Sequence, residues 1–75
     1  MSPARIEKDG KLVCTVERGE IFSRVLNGTR YDIEGTDNGF KLKIGEINYF
    51  PQAFENTEIL IERELLVKAV RTELK

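Results

Sequence analysis

The sequence has no histidine and no tryptophan, and it has a single cysteine, Cys14. Without histidine it lacks the commonest general base and the usual Ser–His and Cys–His pairs of nucleophilic catalysis. One thiol and no imidazole cannot supply the four-ligand sets of structural zinc. A disulfide within the chain is excluded for the same reason. No apolar run approaches the roughly 20 residues of a membrane span. The start, Met1-Ser2-Pro3-Ala4-Arg5, has no apolar h-region, so no signal peptide is visible. With a lone cysteine, the expected compartment is the reducing cytoplasm.

Charge of one sign is missing too. Lys and Arg number 12 against 13 Asp and Glu, a formal net charge of -1. A dedicated nucleic-acid binder carries a clear basic excess, which this chain does not. Its glycines lie in turns, with no Gly-rich loop leading into a helix, so no phosphate-binding fingerprint is present. The carboxylates are scattered among basic residues, and no pair stands out as acid and base. The chain is therefore read as a non-enzyme with no catalytic, cofactor-binding or metal-binding residues.

What is present is a series of short alternating stretches between tight turns. At 75 residues the chain is one domain with a thin core. Residues 4 to 17 read as a hairpin about Asp9-Gly10, a dipeptide suited to the positive φ of a type I′ turn. Leu12, Cys14 and Val16 form its expected core face, which makes Cys14 a small core hydrophobe. Ile21-Phe22 and Val25-Leu26 have a spacing that suits one helical turn or a twisted loop. Asn27-Gly28 marks the next turn, and Tyr31 and Ile33 then share a face. A third turn is expected at Gly35-Thr36-Asp37-Asn38-Gly39. Phe40, Leu42 and Ile44 alternate with Lys41 and Lys43 in the clearest half-buried strand. Pro51 ends regular pairing, and Pro51-Gln52-Ala53-Phe54 suits a 3₁₀ turn.

The tail divides into a short strand at Thr57–Ile61 and a helix over 62–74. Leu66, Val70 and Leu74 step by four, Val67 joins them, and Glu64 and Lys68 form an i, i+4 pair. One longer helix capped by Asn56 is the alternative.

Four pieces together resemble a known pattern. They are Lys11-Leu12-Val13-Cys14, Leu26-Asn27-Gly28-Thr29-Arg30-Tyr31-Asp32-Ile33, Phe40-Lys41-Leu42-Lys43-Ile44 and Tyr49-Phe50-Pro51-Gln52-Ala53-Phe54-Glu55. The stretch from Lys11 to Glu55 resembles the small SH3-like barrel proteins common in phage and bacterial genomes. The resemblance implies a mainly β (β-rich α+β) fold, a small five-stranded SH3-like barrel over residues 4 to 61, followed by the C-terminal helix. As a function it implies binding to, and modulation of, a host protein. The proline-peptide activity of eukaryotic SH3 domains does not carry over, because the Ala-Leu-Tyr-Asp-Tyr stretch and the tryptophan of that groove are missing.

Protein binding is accordingly the expected function. Adjacent strand residues face opposite sides, so one of Tyr49 and Phe50 is expected to be exposed, and exposed aromatics are favoured anchors. Leu66 and Val70 of the helix stripe, with Arg63 at its rim, complete the expected contact set. That stripe also offers a route to self-association. The rival reading is a Tudor- or KOW-like barrel that meets nucleic acid through Arg24, Arg30, Lys41 and Lys43. It is disfavoured by the overall charge and by alternation, which sets Lys41 and Lys43 opposite the Phe40 face.

Overall fold

The computed structural model describes residues 3–37, 39–50 and 57–69. They form eight strands: β1 (Ala4–Lys8), β2 (Lys11–Val16), β3 (Ile21–Leu26), β4 (Thr29–Thr36), β5 (Gly39–Ile44), β6 (Ile47–Tyr49), β7 (Thr57–Ile61) and β8 (Leu65–Ala69). Two antiparallel four-stranded sheets result, ordered β2-β1-β8-β7 and β3-β4-β5-β6. The second is a simple meander of consecutive strands. The first joins the β1–β2 and β7–β8 hairpins through pairing of β1 with β8, Ile6 opposite Val67.

One core lies between the sheets. Ala4, Ile6, Val16, Ile61, Leu65, Val67 and Ala69 come from the first sheet, and Leu26, Tyr31, Ile33, Phe40 and Leu42 from the second. Cys14, Phe22, Ile44 and Ile59 pack half-buried around them. The mainly β class holds, but the closed five-stranded barrel does not: the sheets are separate layers.

The C-terminal helix is overturned as well. Among the described residues there is no helix, and Leu65–Ala69 is a strand whose burial alternates strictly. The physical reason lies in the spacing. Positions four apart share a face in a helix of period 3.6, but also in a strand of period 2. Leu66 and Val70 therefore satisfied both periods. The core instead takes Leu65, Val67 and Ala69, the opposite set, because β8 pairs beside β1 and turns its inner face toward the meander sheet. Val70 lies outside the described residues, as does the 3₁₀ turn expected at 51–54.

Two further expectations change. The Ile21–Leu26 stretch is a regular strand, with Phe22 and Leu26 inward and Ile21 and Val25 outward. In β2 the register shifts between Ile6 and Glu7, which pair with Cys14 and Leu12 respectively. Val13 is the extra residue of this bulge, and Leu12 is thereby turned outward and exposed.

The turns follow their sequences. Asp9-Gly10 and Asn27-Gly28 have positive φ at both positions, as a type I′ hairpin demands. The β7–β8 turn reaches the same conformation without glycine: Glu62 has φ 51° and Arg63 has φ 56°. Glu64 N–H donates to Ile61 O at 2.8 Å to close it. A left-handed non-glycine residue costs about 1–2 kcal/mol. Arg63→Gly is therefore expected to stabilise the fold by about 0.5–1 kcal/mol, after the greater chain entropy of glycine is set against the relieved strain. A thermal melt reads this as a rise of a few degrees; a fall would show that the arginine side chain itself holds the turn.

Candidate functional site

The outer face of the meander sheet carries most of the residues singled out for nucleic acid. Register places Ile21, Glu34 and Lys41 in one row and Ser23, Asp32, Lys43 and Asn48 in the next, with Val25 beside Arg30 beyond them. A shallow depression of about 320 Å³ runs across this face. Arg30, Lys41 and Lys43 come together here; Arg24 does not. It lies on the inner side of β3, where its guanidinium pairs with Glu64 at 3.1 Å.

The face is balanced in charge. Arg30 Nε meets Asp32 Oδ1 at 2.9 Å, and Lys41 Nζ meets Glu34 Oε1 at 3.1 Å. Ser23 Oγ donates to the same Asp32 oxygen at 2.6 Å. The Ser23 and Arg30 hydrogen bonds, with Lys43 nearby, hold the Asp32 carboxyl below its usual range. Each acid interleaves with a base, so the row presents no continuous cationic track to a phosphate backbone. Phe40 is buried on the other side of β5, as alternation required, so it does not share this surface.

The aromatic corner is a different surface. β6 is the edge strand of the meander, and Tyr49 lies on its core-side face opposite Leu42. Ile47 is 59% exposed, Tyr49 45% and Phe50 75%. Both aromatics are thus accessible, where alternation led one to expect a single exposed ring.

The other expected contacts lie elsewhere. Arg63 is exposed at the tip of the β7–β8 turn. Leu66 is half-buried on the outer face of the first sheet, in a row with Glu7 and Leu60. It faces away from the core, so it shares no surface with Tyr49. Ile21, Val25 and Ile47 are exposed apolar residues that the sequence reading did not select. A period-2 reading of Ile21–Leu26 would have found the first two.

One end of the molecule is tied by a polar cluster. Tyr31 Oη donates to Glu62 Oε1, and Asn27 Nδ2 donates to Glu62 Oε2 at 3.4 Å. Arg24 and Lys8 both reach Glu64 Oε1, at 3.1 and 3.4 Å. The bond to Glu62, with burial and the carboxylate charge, pushes the Tyr31 phenol above its ordinary value. A phenol raised in the folded state stabilises fully below the unfolded pKa of about 10, and this contribution is lost as pH rises through the folded value. Stability should therefore fall on the alkaline side of pH 10, and Tyr31→Phe should flatten that fall. Denaturant melts from pH 8 to pH 11 check it; an identical alkaline slope in the variant would refute the assignment.

Cys14 is half-buried against the core, beside the Glu20 side of a small surface hollow. Desolvation first, and Glu20 second, raise its thiol above the ordinary range. It is kept in the protonated, weakly nucleophilic form. Among the described residues no group of three or more Cys, Asp or Glu side chains is placed to hold a metal ion. No helix among them is long and apolar enough to cross a membrane.

Fold and surface together define a two-layer antiparallel β protein with an apolar, partly aromatic edge and a charge-balanced outer face. Comparison with known proteins adds no relative: no family model, curated protein or solved structure matches this chain.

Proposed function

We propose that this chain is a non-enzymatic module that binds another protein through the β6 edge, with Tyr49 and Phe50 as anchors and Ile47 beside them. The supporting observation is the exposure of three large apolar side chains within four residues, at 59%, 45% and 75%. Aromatic side chains gain much contact area for little lost freedom, and they dominate the energetics of protein interfaces.

The test is capture from an extract of the source cell with three tagged forms: wild type, Tyr49→Ala with Phe50→Ser, and Lys43→Ala as a control on the outer face. A protein retained by the wild type and the control but lost from the double variant supports the reading. The same proteins captured by all three forms would remove the β6 edge from consideration. Binding lost only in Lys43→Ala would favour the charged face instead.

A further inference from the structure

We propose that β3 is a homodimerisation edge, on which a second copy of this chain adds its own β3 in antiparallel register about Ser23. The backbone carries the first part of the case. Arg30 O accepts from Gly45 N–H at 2.9 Å, so the backbone groups of Arg30 face β5. By the alternation of antiparallel ladders, those of Tyr31 and Ile33 face β3, where they meet Arg24 and Phe22. Gly35 N–H, donating to Glu20 O at 3.0 Å, continues the same phase. The N–H and C=O groups of Ile21, Ser23 and Val25 are therefore directed away from the sheet. Among the described residues no strand lies beyond them.

The side chains carry the second part. The outer face of β3 holds Ile21, Ser23 and Val25: no charge, no proline, and two apolar residues placed symmetrically about a serine. Ile21 is 62% exposed and Val25 63%. A two-fold axis at Ser23 sets Ile21 of each copy against Val25 of the other and pairs all three outward-directed residues. A shift one way sets Arg24 against Arg24, a repulsion directly across the strands. A shift the other way leaves Val25 without an opposite strand residue. In the Ser23-centred register Arg24 opposes Phe22, and its charge is already matched by Glu64. The Ser23 hydroxyl is turned back onto Asp32, clear of the incoming strand.

The other edges fit a second copy less well. β6 has three residues, β2 is broken by the bulge at Val13, and the outer face of β7 carries Glu58. Bulges, charges and short strands are devices that block edge pairing. β3 has none of them on its outer face. A spacing that is symmetric about one residue favours an identical partner over an unrelated strand. One six-residue strand gives an interface at the low end of the size range, so the dimer should be weak and concentration-dependent.

Sedimentation of the full chain from about 10 µM to about 1 mM is the primary experiment, with the amide exchange of β3 followed over the same range. The expected result is a monomer–dimer equilibrium in which the amides of Ile21, Ser23 and Val25 slow with concentration. Those of Phe22, Arg24 and Leu26 should be slow throughout. Ile21→Lys with Val25→Lys places like charges opposite each other and should weaken the dimer about tenfold or more. Ile21→Lys with Val25→Glu places opposite charges together and should restore it. Both positions are solvent-exposed, and circular dichroism confirms the fold of each variant. A strict monomer at the highest concentration overturns the proposal. So does a dimer that survives the double lysine variant, or one that forms without slowing the three outward amides. Because the wild-type exchange pattern needs no variant, the proposal stays testable even if a variant fails to fold. Its failure would leave the β6 reading intact, since that rests on other residues.

Discussion

Gly35→Ala is expected to remove about 3 kcal/mol or more of folding stability, and Gly35→Val to prevent folding. The requirement is for room. A Cβ built on Gly35 would lie 2.2 Å from Glu17 O, 2.6 Å from Glu17 C and 2.7 Å from Val16 O, all of them backbone atoms. They belong to the connection that carries the chain from β2 in one sheet to β3 in the other. That crossing is fixed on both sides. Gly19 N–H donates to Gly35 O at 3.0 Å, Gly35 N–H to Glu20 O at 3.0 Å, and Glu20 N–H to Glu17 O at 2.9 Å. The Glu20 carboxylate then accepts from Glu17 N–H at 2.8 Å. A methyl group can be admitted only by lifting the crossing off β4, which breaks both of its backbone bonds to Gly35 together. A chain of this length has about 4–11 kcal/mol of stability in all, so the loss is a large fraction of it. Urea unfolding measures the effect directly; an unchanged midpoint for Gly35→Ala would mean that the crossing yields freely.

The second large effect separates two neighbours. Leu65→Asp should abolish folding, whereas Leu66→Asp should leave a folded chain. Leu65 is fully buried between the sheets, and an unpaired carboxylate there carries a desolvation cost of several kcal/mol on top of the lost packing. Leu66 looks outward beside Glu7 and Leu60, where a charge keeps much of its water. The milder Leu65→Ala should cost about 2–5 kcal/mol. Circular dichroism and proteolysis distinguish the outcomes. Equal tolerance at both positions would be incompatible with β8 as a core strand.

This pair also shows how far the sequence could be read. Asp9-Gly10 and Asn27-Gly28 announced their hairpins because few residues besides Gly, Asn and Asp accept the left-handed conformation. Phe40, Leu42 and Ile44, with the two lysines between them, announced β5 because only a period of two separates them so cleanly. Leu66, Val70 and Leu74 announced a helix for an insufficient reason, since four is an even number. What decided the matter was pairing with Ala4, Ile6 and Glu7, residues some sixty positions away that no local window contains. Leu12 was misplaced by a bulge, which leaves no trace in composition. Gly35 was read as turn chemistry, although its role is set by a strand that passes over it.

The candidate surfaces were legible in part for the same reasons. Tyr49 and Phe50 could be picked because adjacent strand residues face opposite sides, which leaves one of the two rings outside the core. Arg30, Lys41 and Lys43 could be grouped by alternation. Arg30 meets Asp32 two residues along its own strand, but the neutralisation of Lys41 by Glu34 depends on cross-strand register, which only the folded chain supplies. Arg24 was drawn away by Glu64, forty residues along the chain.

The pairing of β1 with β8 has a kinetic consequence. Every strand pairing of the meander joins strands adjacent in sequence, so residues 21–49 can zip up turn by turn at small entropic cost. The other sheet must close a loop from Ala4 to Ala69 before β1 and β8 reward each other. Loop closure grows as about (3/2)RT ln n, so this single junction carries the largest search in the molecule. The two outer hairpins should form early and remain independent, and the folding barrier should sit where they meet across the finished meander. Substitutions at Ile6 and Val67 would then slow folding, and so would those in the β5–β6 turn of the finished meander, with little effect of the latter on the unfolding rate.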